Sequence, residues 1–174
     1  MSLRTARYQG EALAEACGFK KPPIDVDQVA KRLGLKVVHL DLGDDVSGLL
    51  ISKGDSTVIA VQKSDPPNRR RFTVAHEIAH FHLKHQFKLG DHVHVDRGHL
   101  VTPRNSRSST GEDLKEIEAN QFAACLLIPS KLLQERINSL KVKSLRDDQI
   151  TKLAGEFTVS EQAMTIRLSS LGFL

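Results

Sequence analysis

Aromatic residues are scarce in this chain of 174 residues: tryptophan is absent, tyrosine occurs once and all aromatics together make up 5%. The scarcity does not preclude a core, because 40% hydrophobic and 26% charged residues is ordinary globular composition, enough for one well-buried domain or a domain with a small appendage. Cysteine is nearly absent too. Cys17 and Cys125 are too few for a disulfide framework, and both fall at apolar helical positions, so reduced core thiols are expected. No apolar run approaches the length of a membrane span, and the stretch from Met1 to Gly10 lacks the hydrophobic centre of a signal peptide, which points to the cytoplasm. Strong charge is missing as well. The formal net charge is +4, and from Pro129 onward seven Lys or Arg face five Asp or Glu, which makes no phosphate-binding stripe. Nucleic acid is therefore not the leading partner.

What the chain does have is histidine, eight in all, and one pair of them lies in Arg71-Phe72-Thr73-Val74-Ala75-His76-Glu77-Ile78-Ala79-His80-Phe81-His82-Leu83. Residues four apart on a helix lie one above the other, so His76 and His80 project from one side and can share a divalent ion, typically zinc, with manganese as the alternative. Glu77 then sits beside the ion, placed to act as general base toward water there, and the implied chemistry is amide hydrolysis. The competing reading is a satisfied pair of core histidines. Phe72, Ala75, His76, Ala79, His80 and Leu83 form one stripe and Val74, Ile78 and Phe81 an opposite one, which describes a helix covered on both sides. Imidazoles on such a face need partners, and the HExxH spacing favours the metal site. His82 and His85 project elsewhere and read as ordinary, partly exposed residues.

A third protein ligand is needed. The metzincin pattern fails, because Leu83 and Gln86 stand where it requires Gly and His. The run from Glu112 to Pro129 offers a carboxylate from a later helix. On a helical projection Leu114, Ile117, Phe122, Ala124, Cys125 and Ile128 form one arc, Glu118 falls inside it, and Glu112 and Glu116 point away. An ionised carboxylate on a buried face is costly unless paired or metal-bound, so Glu118 is the expected ligand, the alternative being an ion pair with a core-facing Arg. Cys125, one turn on from Phe122, is a lesser candidate to approach the metal.

These residues carry a resemblance. Arg71-Phe72-Thr73-x-Ala75-His76-Glu77-x-x-His80, followed by Glu118-Ala119-Asn120-x-Phe122-Ala123-x-x-Leu126-Leu127-x-Pro129, resembles the ImmA/IrrE family of small bacterial metallopeptidases, over a span from about residue 24 to the C-terminus. The resemblance implies metal ligands His76, His80 and Glu118, with Glu77 as catalytic base. It also implies a substrate class, helix-turn-helix transcriptional repressors, whose cleavage relieves repression.

The rest of the chain frames this site. Leu3, Ala6, Leu13, Ala14 and Cys17 predict a helix ended by Gly18; Asp25 is an expected N-cap, with Gln28 three residues on and Gly34 as the stop. Residues 35–40, 47–52 and 57–61 are β-rich and separated by turn residues, predicting a small antiparallel sheet ahead of the metal helix. A strand beside that helix can pair with an extended substrate. Arg69-Arg70-Arg71 opposes the helix dipole, which leaves a solvated basic face or a contact elsewhere as its explanation. The polar connection 90–111 is long enough to be a lid or an insertion; His92-Val93-His94-Val95 alternates like a strand near the metal, and His92, His94, His99, Arg97 and Tyr8 are all candidate oxyanion donors. Ser130 is expected to cap a helix to about Ile137. Helices over 147–154 and 160–171 resemble a helix-turn-helix, in which Glu161, Gln162, Thr165 and Arg167 would face DNA with a single cation.

The expected fold is α+β, with a zincin-like metallopeptidase domain over 1–137 and a helical extension over 138–174. The expected activity is that of a zinc-dependent endopeptidase acting on a repressor. A regulator that binds the repressor without cutting it, and a DNA binder working through the C-terminal helices, are the alternatives.

Overall fold

The computed structural model describes residues 2–85, 93–96, 111–142 and 144–174. The elements run α1 (Leu3–Ala16), α2 (Val26–Arg32), β1 (Leu35–Leu40), β2 (Gly48–Lys53), β3 (Ser56–Gln62), α3 (Pro67–His82), β4 (Val93–Asp96), α4 (Gly111–Leu127), α5 (Ser130–Leu140), α6 (Asp147–Phe157) and α7 (Glu161–Ser170). The α+β class and the small sheet match the sequence reading. Local signals act as they should: Asp25 Oδ1 accepts from the Gln28 amide at 2.9 Å to start α2, and Gly34, at φ +76°, releases the chain into β1.

The sheet is mixed rather than wholly antiparallel, in the order β1-β3-β2-β4. A hairpin with Gly54 and Asp55 at its tip pairs Lys53 with Ser56, leaving the far edge of β3 open. β1 fills that edge in parallel, with Leu35 opposite Thr57 and Leu40 opposite Gln62. The buried Gln62 side chain secures the crossing: Nε2 donates to the Gly43 carbonyl at 2.7 Å, and Oε1 accepts from the Leu42 amide at 3.3 Å. β4 adds antiparallel to β2, with His94 opposite Leu50.

Helix α4 is the centre of the helical layer, packed on α1 along one side and on α3 along another, while β2 and β3 back onto α3. Ile59, Ile78, Phe122, Leu126, Leu133, Phe157, Met164 and Leu168 are all fully buried in one continuous core, each contributing about 1.5–3 kcal/mol by its removal from water. Residues of α6 and α7 belong to that core. Ser130, expected as a cap, is instead the first residue of α5: its amide and hydroxyl both donate to the Glu11 carboxylate, at 2.9 and 3.1 Å. The three arginines at the start of α3 each reach another segment. Arg69 donates to Ser47 Oγ, Arg70 to the Lys63 carbonyl, and Arg71 to the carbonyls of Ile24 and Thr158. Their unfavourable position on the dipole is offset by these bonds, which tie α3 to the sheet, to the α1–α2 connection and to the α6–α7 turn.

The α1–α4 contact is close because Gly10 sits in it. A Cβ there would lie 2.4 Å from the Phe122 carbonyl oxygen and 3.1 Å from Cys125 Cβ. Gly10→Ala would normally gain about 1 kcal/mol of helix propensity; here a net loss of about 2 kcal/mol is expected from overpacking against backbone. Urea denaturation of the two proteins reads this directly.

Candidate metal centre

Helix α3 begins with Pro67 in its first turn, where the missing amide proton costs nothing, and runs into the core at Thr73. His76, Glu77 and His80 are 3%, 0% and 1% exposed. Their four-residue spacing brings His76 Nε2 and His80 Nε2 within 2.9 Å of each other. The carboxylate facing them from α4 is Glu116, with Oε2 at 3.1 Å from His76 Nε2 and Oε1 at 3.4 Å from His80 Nε2. From β4, His94 brings Nε2 to 3.1 Å from Glu116 Oε1 and Nδ1 to 3.0 Å from Glu77 Oε2. One ligand atom from each of His76, His80, His94 and Glu116 lies within 4.8 Å of the others.

Glu118, expected in that place, is directed elsewhere. Its Oε2 meets His85 Nε2 at 3.2 Å, and both side chains are almost fully buried. The difference comes from the packing of α4. The projection assumed one buried arc, but α4 is covered by α1 and by α3. Its Phe122-Cys125-Leu126 side meets Gly10 of α1, while Glu116 and Asn120, four apart, form a polar stripe toward α3. Cys125 is thereby turned to α1 and away from the histidines. Tyr8, 70% exposed on α1, is not brought to the site. His92, Arg97 and His99 lie outside the described residues. Two members of the cluster thus escaped the sequence reading: Glu116, set aside by projection, and His94, one donor candidate among five. No local pattern separates Glu116 from Glu118, since Glu118 and Gln121 are likewise polar and one turn apart; the packing of α4 on both α1 and α3 decides it.

The donor chemistry fits a divalent cation. Asn120 Oδ1 lies 3.0 Å from His76 Nδ1 and can only accept, so Nδ1 carries a proton, and Nε2, which faces Glu116 Oε2 at 3.1 Å, is the atom that would give its lone pair to a cation. Glu77 Oε1 is fully buried without a hydrogen-bond partner among the described residues. Gly48 of β2 makes room for it, since a Cβ at that position would stand 3.2 Å from Oε1 and 2.4 Å from Thr73 Cγ2. The electrostatics of the bare site reflect crowding. Burial drives His80 down to about 3, and it drives the Glu77 carboxyl up despite the His94 bond. Burial also opposes charge on His94 and on Glu116, yet their mutual hydrogen bond, with those from Glu77, His76 and His80, holds His94 cationic and Glu116 anionic. Three nitrogens and a carboxylate oxygen of this kind suit zinc, and manganese also accepts the mixture.

A HExxH helix under a small sheet, facing a carboxylate from the next helix, is a metallopeptidase-like fold with a candidate metal site. The chain belongs to the M78 peptidase family: the family's IrrE N-terminal-like domain matches residues 30–169. Among curated proteins none matches. A Mycobacterium tuberculosis transcriptional regulator of known structure shares the fold, with a TM-score of 0.62 and 20% identity over 95% of this chain and 47% of that one. The present chain thus spans about half the length of that regulator.

If Glu116 rather than Glu118 faces the ion, Glu116→Gln should weaken zinc binding by about 100-fold or more and Glu118→Gln by only about 10-fold. Competition against a chromophoric chelator separates the two.

Proposed function

We propose that the protein is a zinc- or manganese-dependent endopeptidase of the cytoplasm that cleaves a helix-turn-helix transcriptional repressor. The observation that carries this reading is the convergence of His76, His80 and Glu116 on one point with the buried Glu77 carboxylate beside it. A divalent ion bound there supplies Lewis acidity, polarising a peptide carbonyl and making water a better nucleophile. Glu77 then accepts the proton of the attacking water, and its raised affinity for protons, a result of burial, suits it to pass that proton to the leaving amine. His94 Nδ1 holds Glu77 Oε2 in place, and its Nε2, bonded to Glu116 Oε1 at 3.1 Å, is the donor that would turn to the carbonyl oxygen as charge develops there once Glu116 is engaged with a cation. β4, the outer strand of the sheet, offers an edge along which an extended substrate segment can pair. Membership of the M78 family and likeness to a transcriptional regulator support a repressor as substrate. Among the described residues no helix is long and apolar enough to cross a membrane, which is compatible with a substrate that works on DNA.

A second reading has its own observation. His94 Nε2 belongs to the same group of donors, and four protein ligands would close the site, as in a structural metal centre, giving a regulator that grips the repressor without cutting it. DNA binding through α7 is less favoured, because Arg167, its only cation, is 6% exposed and bonded to the Ile128 carbonyl and to Glu11.

Incubating the metal-loaded protein with the repressor encoded beside its gene, and following intact masses, tests the assignment. Two complementary fragments are expected from the wild type and none from Glu77→Gln, which should keep its metal; His80→Ala should lose both. Uncut repressor in a stable complex would favour the closed site. His94→Ala sorts the two readings further: as a donor its loss lowers kcat by about 100-fold or more with metal retained, whereas as a ligand its loss removes the metal.

A further inference from the structure

Helix α3 ends in a way that returns the chain to the metal centre. Lys84 adopts the left-handed conformation at φ +54°, the Lys84 amide donates to the Phe81 carbonyl at 3.1 Å, and the His85 amide donates to the His80 carbonyl at 3.0 Å. These are the paired bonds of a Schellman cap, here built without glycine. Because the second bond links His85 to His80 itself, the cap stacks one ring edge-on against the other, with centroids 5.0 Å apart and planes at 70°. Nδ1 of His85 then lies 3.0 Å from Nδ1 of His80, and Nε2 of His85 lies 3.2 Å from Glu118 Oε2. Side chains of His80, His85 and Glu118 are 0%, 5% and 6% exposed, so water does not compete for these bonds.

Starting from Glu118, the bonding capacities select one arrangement, set against the pull of Glu116 Oε1, which lies 3.4 Å from His80 Nε2 and by itself favours a proton there. A carboxylate can only accept, so His85 carries its proton on Nε2 and donates it to Glu118. Its Nδ1 is then an acceptor, so His80 must donate from Nδ1. With that proton on Nδ1, His80 Nε2 keeps its lone pair for a cation held together with Glu116 and His76. We propose that Glu118 and His85 form a positioning relay that fixes the ring and tautomer of His80, presenting Nε2 to the metal. This rests on the metal-site reading above. It gives Glu118, the carboxylate whose burial demanded a partner, a task one step removed from the ion. Asn120 does the equivalent for His76 by a single bond, whereas His80 is reached through a second imidazole supplied by the helix cap.

The test compares the full-length wild type with His85→Leu, His85→Gln and Glu118→Gln. Zinc affinity is read by chelator competition, and the His80 tautomer in the zinc-free protein by two- and three-bond nitrogen–proton NMR correlations. The wild type should show the Nδ1–H form of His80. His85→Leu, which fills the space but cannot accept, should weaken zinc binding by about 10–100-fold and release His80 to a mixture of tautomers. Gln at position 85 can accept from His80 through Oε1 and donate to Glu118 through Nε2, so His85→Gln should recover most of the affinity. Wild-type affinity in His85→Leu, failure of His85→Gln to recover when correctly folded, or an Nε2–H tautomer in the wild type would each overturn the relay. If His85→Leu does not fold, the wild-type tautomer and the glutamine variant decide. A wild type that binds no zinc would sink the metallopeptidase reading, while the tautomer measurement would still judge the relay.

Discussion

Four imidazoles and three carboxylates are enclosed where α3, α4 and β4 meet, and the rest of the structure follows from the need to satisfy them. Each of these groups, stripped of water and unpartnered, would cost several kcal/mol. Here nearly every one has a partner within 3.4 Å, and the partners interlock, so neither helix can shift by a turn without breaking several bonds together. Replacing paired buried charges by well-packed apolar side chains is often neutral or stabilising, so stability alone does not account for this cluster.

The HExxH pair was legible in the sequence because the relation between His76 and His80 is set by helix geometry alone, with no knowledge of what lies opposite. The caps of α2, the hairpin of β2 and β3 and the helical character of the C-terminal third were legible for the same reason: each depends on residues a few positions apart. What failed to show was whatever depends on a partner distant in sequence. Glu116 and Glu118 sit on the same helix, and only the knowledge that α4 is covered on two sides tells which faces α3. The parallel addition of β1 depends on an edge of β3 that local pattern does not reveal. Ser130 looks like an N-cap until Glu11, more than a hundred residues earlier, claims both its donors. Arg71 reads as a misplaced charge until the carbonyls of Ile24 and Thr158 come into view.

Arg71 and Glu11 share a design. Each is one charged side chain that holds chain segments brought together only by folding: Arg71 joins α3 to the α1–α2 connection and to the α6–α7 turn, and Glu11 joins α1 to α5 and to Arg167 of α7. Their bonds run mainly to backbone amides and carbonyls, groups that any sequence at those positions would present. The C-terminal helices are thus fastened from both ends of the molecule, and the face of α7 that could have offered a cation is spent on the fastening.

The strand order bears on how the molecule comes together. β2 and β3 are joined through the two residues Gly54 and Asp55, with Gly54 at positive φ, a turn that suits the twist of a hairpin and forms in about microseconds. That hairpin is a local nucleus with two unequal edges. β1 zips onto one along six residue pairs, while β4 has four on the other and comes from a distant point in the chain. The strand with the fewest pairs is thus the one that carries His94, so the cluster's third imidazole is attached through the shortest ladder of the sheet, while the helices that carry His76, His80 and Glu116 are anchored in the core.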